Sequence, residues 1–411
     1  QSVPIEGTIT NWSWDFGDGS TSTEENPTHT YETHGVYTVS LTVVDDNGMG
    51  NTNTKEDYIT VNYAGPVWYV SNDGDDSGQG TIDDPFATPG VAFYNASDGD
   101  SVLIYEGSYD QGVVNNKLFI GSVSYQSLDS LTIHNTRLQG IQLGSGADST
   151  SIIGLRLQSD TQEGLNINQN VGGQIFIQQC HIISNTFGVI IATHGVANTV
   201  HISNCIISDN NEQGVKLDTW SDSQPTYLII DQCIINNNNI GDTEYGSGIG
   251  FRGNAGGELT ITNSEISNNY GGGISTAAAV YLDAGSLTLD NVTIFNNEGD
   301  GLYNSVSDNN AVINNVTIDS NTGIGIQKLY NSTLTNSTIS NNLSGGLSEI
   351  ENSSLQNVII DGNKMVPGSV GSEGDDGAGI SSMENSILTN VIIKNNRTTS
   401  GHGGGIYCYV G

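Results

Sequence analysis

A recurring phrase constrains this chain more than its composition does. Residues 204–217 read "NCIISDNNEQGVKL": an Asn, an Ile pair, a second Asn, then a Gly and further apolar residues. Tracked along the chain, its first position recurs at Asn135, Gly154, Gln179, Asn204, Gln232, Asn263, Asn291, Asn315, Asn336, Asn357 and Asn390, with gaps of 19 to 33 residues. Six residues beyond each of these from Gln179 onward stands an asparagine without a miss: Asn185, Asn210, Asn238, Asn269, Asn297, Asn321, Asn342, Asn363 and Asn396. Self-similarity at a spacing of roughly 20 to 50 residues is the mark of stacked repeats.

The stretches around these positions, such as "HISNCIIS", "LTITNSEIS" and "LTLDNVTIF", alternate apolar and polar residues over runs too short for helices. A third short run follows the glycines, as in "GVII", "GVKL", "GIGF" and "GIYC". Three short strands joined by bends make one turn of a coil. A single coil cannot bury its inward residues, so coils must stack, each strand pairing with its counterparts about 4.8 Å above and below. Like then lies on like. The nine asparagines queue at one bend, where each amide bonds the next coil, and asparagine's tolerance of left-handed backbone suits that bend. Each such bond contributes about 0.5–1.5 kcal/mol net, which makes the file scaffolding rather than chemistry.

The register, the asparagine file and the "NxTIxNN…GxGI" wording resemble the right-handed parallel β-helix proteins of the pectate-lyase-like superfamily, over residues 100–411. The resemblance implies an all-β solenoid for residues 101–411, and the wording halts in mid-coil at "GHGGGIYCYVG", so a longer polypeptide is expected. Residues 12–48, "WSWDFGDGSTSTEENPTHTYETHGVYTVSLTVVDDNG", have another grammar: aromatic alternation, a tight Gly-Asp turn and a long strand ending in a turn. They resemble a PKD domain, matched at Trp14 to Gly19, His29 to Tyr31 and Gly35 to Gly48. Such modules carry two further strands upstream, so residues 1–63 are expected to form a partial immunoglobulin-like β-sandwich. Residues 64–100 read as linker and N-terminal cap, with "PFATPGVAFYNAS" forming a short amphipathic helix through Phe86, Val91, Ala92 and Tyr94.

The chain has 10 Lys and Arg against 45 Asp and Glu, a net charge of −35, yet only 13% of its residues are charged. A shortage of bases on this scale excludes nucleic acid and anionic membrane surfaces as partners. No run of about 18 to 20 apolar residues is present for membrane insertion, and "QSVPIEGTIT" has neither the basic nor the apolar part of a signal peptide. An extracellular location, secreted or cell-surface, therefore requires a signal outside this chain. Cys180, Cys205 and Cys233 fill the same slot of successive repeats and read as free core thiols, and Cys408 stands apart.

Two places are composed for ligands. Asp73, Asp75 and Asp76 in "SNDGDDSGQG" form an oxygen-rich glycine loop of the kind calcium needs, the alternative being a solvated turn. In the third run, alternation sends Val215, Leu217, Ile249 and Phe251 inward and Lys216, Asp218, Gly250 and Arg252 outward. The adjoining loops "DTWSDSQPT" and "NNIGDTEYGSG" add Trp220, Asp222, Asp242, Glu244 and Tyr245. Cations beside carboxylates and aromatic rings suit a polysaccharide or cell-surface glycan. A Lys or Arg of lowered pKa would serve as base in β-elimination, and two carboxylates about 5 to 10 Å apart would serve hydrolysis. The bland alternative is a surface ion pair with Trp220 packing its loop. His134, His181, His194, His201 and His402 fall in different columns or loops and make no metal or Ser/His site. Two readings stand at this point: a carbohydrate-facing β-helix, catalytic or not, and a non-enzymatic cell-surface or adhesive repeat protein.

Overall fold

A computed structural model describes residues 8–31, 35–61, 66–124, 135–193, 195–219, 224–239, 248–252, 256–271, 278–283, 285–304, 310–365, 378–399 and 404–406. The chain divides into two compact units, Gln1–Pro66 and Val67–Gly411.

The first unit is a four-stranded antiparallel sheet of β1 (Ile9–Asp15), β2 (Thr21–Ser22), β3 (Gly35–Asp45) and β4 (Gly50–Val61), in the order β2-β1-β3-β4. The turn after β1 is made by side chains that bond their own backbone. Asp15 accepts the Gly17 N–H at 2.9 Å and Asp18 accepts the Ser20 N–H at 2.9 Å. Gly17, at φ 77°, could not be replaced, because a Cβ there would lie 2.3 Å from the Thr38 carbonyl oxygen. His29 stacks on Phe16 at 4.1 Å with its Nε2 2.6 Å from Asp18, which joins the two matched motifs in one cluster.

Among the described residues the second unit is built, beside a two-stranded parallel pair of Lys364–Met365 and Arg397–Thr398, on three parallel sheets of 13, 12 and 11 strands. One coil contributes one strand to each. The first sheet runs from Val67–Val70 to Ile387–Thr389, the second from Gly107–Tyr109 to Ile392–Lys394, and the third from Gly112–Val114 to Met383–Glu384. Inward residues stack in register: Leu157, Ile182, Ile207, Ile235 and Ile266 stand opposite one another on successive coils, each with 0% exposure. Burial of such files is the main stabilising term. Cys180, Cys205 and Cys233 form another buried file of free thiols, continued by Ser264, and the Cys180 N–H donates to the Cys205 Sγ at 3.4 Å. Burial pushes the Cys205 thiol well above its ordinary range. Cys408 lies outside the described residues.

The asparagine file stands where the second sheet gives way to the third. Asn210 typifies it: its Nδ2 donates back to the Ile182 carbonyl at 3.2 Å and forward to Asn238 Oδ1 at 2.7 Å, and its Oδ1 accepts the Asn185 N–H and Nδ2, both at 3.0 Å. The same pattern links Asn185, Asn210, Asn238, Asn269, Asn297, Asn321, Asn342, Asn363 and Asn396. In one respect the bend differs from expectation. The left-handed residue is the one before each ladder asparagine, at Ser184, Asp209, Asn237, Asn268, Asn296, Ser320, Asn341, Gly362 and Asn395. A second left-handed file begins each second-sheet strand, at Gln179, Asn204, Gln232, Asn263 and onward to Asn390. The ladder asparagine itself turns its side chain into the coil, and its neighbour makes the bend.

A glycine file faces the ladder. A Cβ on Gly214 would lie 2.8 Å from both Asn238 Nδ2 and the Gly248 carbonyl, so close approach, not torsion, requires glycine there. The end of the solenoid is plugged by helix α1 (Pro89–Asn95), which buries Pro89, Ala92 and Phe93. Tyr94, expected on the buried stripe, is 88% exposed. Phe93 takes that place, its ring against Gly112, on the face shared with Pro89 and Ala92.

Candidate functional site

The outer face of the third sheet carries the sequence-expected residues that can be placed. Val215, Leu217, Ile249 and Phe251 point into the core, while Lys216, Asp218 and Arg252 point outward. Lys216 stands opposite Gly250 and Asp218 opposite Arg252 on neighbouring strands. The Lys216 Nζ lies 4.0 Å from Asp218 Oδ2 and 5.2 Å from the centre of the Phe187 ring. The Arg252 Nε lies 3.6 Å from Asp283 Oδ2. Trp220, Asp222, Asp242, Glu244 and Tyr245 lie outside the described residues.

The file continues over three further coils through residues that the sequence reading missed. Gly250 stands opposite Tyr281, Tyr281 opposite Tyr303, and Tyr303 opposite Gln327. The two tyrosine rings stack at 5.3 Å with planes 4° apart and, at 8% exposure each, are largely covered, forming a small buried cluster with Ala278. The Lys328 Nζ reaches the Tyr303 hydroxyl at 3.0 Å and sits 5.0 Å from its ring centre. Since Gly250 has no side chain, a gap of two strand spacings, about 9.6 Å, separates the backbones carrying Lys216 and Tyr281.

Lys328 and Glu349 are built differently from the rest of the face. At φ 66° and 53° they are the two long charged residues in left-handed backbone among the described residues. Ile326 and Leu329 are both buried although three residues apart, as are Leu347 and Ile350 one coil on, so Lys328 and Glu349 each take up an extra residue. Backbone strain of this kind, about 1 kcal/mol or more per residue, persists only where the surroundings enforce it. Tyr330 donates its hydroxyl to Glu349 Oε2 at 2.9 Å, and burial, with Glu349 adding to it, raises the phenol. Burial acts to lower the Lys328 ammonium, but the Tyr303 hydrogen bond and nearby negative charge outweigh it and raise it. Lys328 is therefore a held cation or an acid, not a neutral base.

Other titratable groups lie elsewhere. Asp300 opens the strand Asp300–Asn304 at 5% exposure, accepts the Ile324 N–H at 2.6 Å, and is raised by burial to about 7. His181 is on the second sheet, and His201 is on the first, stacked on Phe176 at 4.7 Å and lowered by burial to about 4. His134, His194 and His402 lie outside the described residues. In the loop considered for calcium, the carboxylates face different donors: Asp75 accepts the Ser77 N–H and hydroxyl at 2.9 and 2.7 Å, and Asp76 accepts the Thr88 N–H and hydroxyl at 2.9 and 3.0 Å. Asp73 joins neither set, and no group of three His, Cys, Asp or Glu side chains placed to hold a metal ion occurs among the described residues. No helix among them is long and apolar enough to cross a membrane.

Comparison with known proteins agrees with this geometry. The PKD domain model matches residues 1–61, and the model of the right handed beta helix region matches residues 116–279 and 274–411. Collagenase ColQ1 of Bacillus cereus (strain Q1) is 58% identical over 43 residues, 10% of this chain and 4% of that protein. Microbial collagenase of Vibrio alginolyticus is 54% identical over 53 residues, 13% of this chain and 6% of that protein. The chain thus spans a small fraction of the length of these relatives. Among solved structures, the catalytic unit of a thermostable GH87 alpha-1,3-glucanase from Streptomyces thermodiastaticus strain HF3-3 aligns over 100% of this chain and 83% of that one, with a TM-score of 0.55 and 10% identity, which is a likeness of fold. With the matched model covering residues 116–411 and three stacked parallel sheets beneath it, this chain belongs to the right-handed β-helix family and carries a PKD domain at its N-terminal end.

Proposed function

We propose that this is an extracellular polysaccharide-binding β-helix protein whose binding face is the outer surface of the third sheet. One observation carries the reading: Lys216, Asp218, Arg252, Asp283, Tyr281, Tyr303 and Lys328 occupy one continuous face over five successive strands. Paired charges beside a gap that has Lys216 on one side and the edge of Tyr281 on the other can fix the hydroxyl groups of a sugar chain. The neighbour of like fold is by name a glucanase, which agrees with a carbohydrate ligand. Lyase or hydrolase activity belongs to the same proposal, with the strained Lys328 and Glu349 as its place.

The test is incubation of the chain with acidic and neutral polysaccharides, with and without calcium, following unsaturated product, reducing ends and binding. Binding that disappears in a Lys216→Ala, Asp218→Ala, Arg252→Ala variant supports the face, and unchanged binding refutes it. The second reading, an adhesive or display surface without catalysis, is favoured by the way Lys216, Arg252 and Lys328 on this face are each held against a carboxylate or phenol. Binding without product in any mixture selects it. Calcium at Asp73, Asp75 and Asp76 is a separate proposal: EDTA lowering the melting temperature supports it, and an unchanged melt removes it.

A further inference from the structure

We propose that Arg137 and Arg156 form an anion socket on the outer face of the second sheet, built to hold one oxyanion, a carboxylate or sulfate group, between two guanidinium groups. The socket is separate from the third-sheet face and does not depend on the function proposed there.

Arg137 and Arg156 stand directly opposite each other on neighbouring parallel strands, Thr136–Leu138 and Arg156–Leu157. Their inward neighbours Leu138 and Leu157 are fully buried, so the two arginines rise side by side from a rigid floor. Strand spacing puts their backbones about 4.8 Å apart, a separation at which like charges repel. Among 10 basic residues in a chain with 45 acidic ones, two in direct register with no carboxylate partner among the described residues are conspicuous. Of the four ion pairs found between described residues, none involves either arginine. Arg137 donates one Nη2 hydrogen to the Gln158 carbonyl at 3.3 Å. The Nε atoms of both arginines are buried from solvent and meet no acceptor. Burial, and after it the charge of Arg137, lowers Arg156, the response of a cation short of negative charge. On the adjoining strand the next position of the file is His181, 2% exposed.

The register of the two cations, rather than their buried Nε atoms, defines the ligand. Two forks of N–H donors on parallel strands are satisfied by a planar or tetrahedral oxyanion that gives oxygens to both. Such a group arises from two sources, the acidic substituents of a glycan or a free inorganic anion.

The experiment uses the full chain and reads thermal stability and calorimetric binding at constant ionic strength. Its arms are sodium sulfate, polygalacturonate, dextran sulfate and neutral dextran, with sodium chloride as the ionic control. The expected result is a melting temperature raised by sulfate but not by chloride, and a response lost in Arg137→Gln and in Arg156→Gln. Polymer binding at least about tenfold tighter per group than free sulfate assigns the socket to an acidic glycan, while equal affinity assigns it to the free ion. Arg156→Lys, which keeps the charge and loses the fork, should retain a weakened response and serves as the folded control if the glutamine variants fail to fold. A Lys216→Ala, Arg252→Ala variant should keep the parent chain's response to free sulfate, whatever it loses toward the polymers, which separates this site from the third-sheet face. An equal response to sulfate in the parent chain and in Arg156→Gln, or none in either, overturns the proposal.

Discussion

The asparagine corner and the third-sheet face belong to the same coils, yet they obey opposite rules. At the corner every amide from Asn210 to Asn363 makes the same bonds to the coils on either side and is buried. On the face, successive strands present Lys216, Gly250, Tyr281, Tyr303 and Gln327, four kinds of residue in one file of five. Uniformity at the corner is what stacking demands, because a buried amide without its partner is costly. Variety on the face shows that stacking does not dictate a single residue type there, although Tyr281 and Tyr303 do stack on one another. Where the fold is indifferent, the residues are free to serve a ligand.

Mutations at the two places should therefore separate stability from binding. The largest effect is expected for Asn238→Ala, which removes two donated and two accepted bonds and leaves the Asn210 N–H and the Ile207 carbonyl without them. A loss of about 3 to 5 kcal/mol, read as a lower urea midpoint, is expected. Hydrogen exchange should show the opening confined to adjacent coils, since a solenoid has only nearest-neighbour contacts. A change below about 1 kcal/mol would mean that the ladder is ornament.

Asp300 gives a smaller, pH-dependent effect on the border of the two regions. Its folded carboxyl titrates at about 7, against 3.8 unperturbed, so both states are protonated below about pH 4 and the folded state is favoured there. Stability should fall as pH rises from about 4 to about 7, by no more than about 4 kcal/mol, because only the unfolded chain has released its proton in that window. Asp300→Asn should flatten this slope and be the more stable form at pH 8. Parallel stability profiles of the two chains would contradict the burial argument.

Gly214→Ala should cost about 1 to 3 kcal/mol through overpacking against Asn238 and Gly248, without any torsional penalty. The smallest stability change belongs to the face: Lys216→Ala with Arg252→Ala should shift unfolding by about 1 kcal/mol or less, since their ion pairs at 4.0 and 3.6 Å are partly exposed. Glycan binding should nonetheless disappear. A large loss of stability in this variant would move the face into the scaffold and end the contrast.

The corner was legible in the sequence because translation along an axis turns spatial repetition into spacing, and Asn210, Asn238 and Asn269 could be aligned by counting. Counting also placed Lys216, Asp218 and Arg252, because alternation holds through their strands. The same alternation read through "AAAVYLD" and "GDGLYN" leads to Tyr281 and Tyr303, a signal that was present and unused. It fails at "GIGIQKLYN": strict alternation sends Lys328 inward, and only the left-handed residue restores Leu329 to the core and Lys328 to the surface. The bend was misplaced by one residue for a related reason. Short polar residues occupy both adjacent positions, as in Asp209-Asn210 and Asn237-Asn238, and composition cannot tell the one that bends from the one that bonds. The Arg137 and Arg156 pair needs the register of two coils whose first-position residues are Asn135 and Gly154, and the repeat there lacks the asparagine that fixes it elsewhere.

Cys180, Cys205 and Cys233 lie near the middle of the solenoid, sealed from solvent and one strand spacing apart. A thiol reagent can reach them only when the coils around them part. Their modification rate is thus an internal clock for the breathing of the central turns, available without introducing any label, and it would report whether a polysaccharide laid along the neighbouring sheet holds those turns shut.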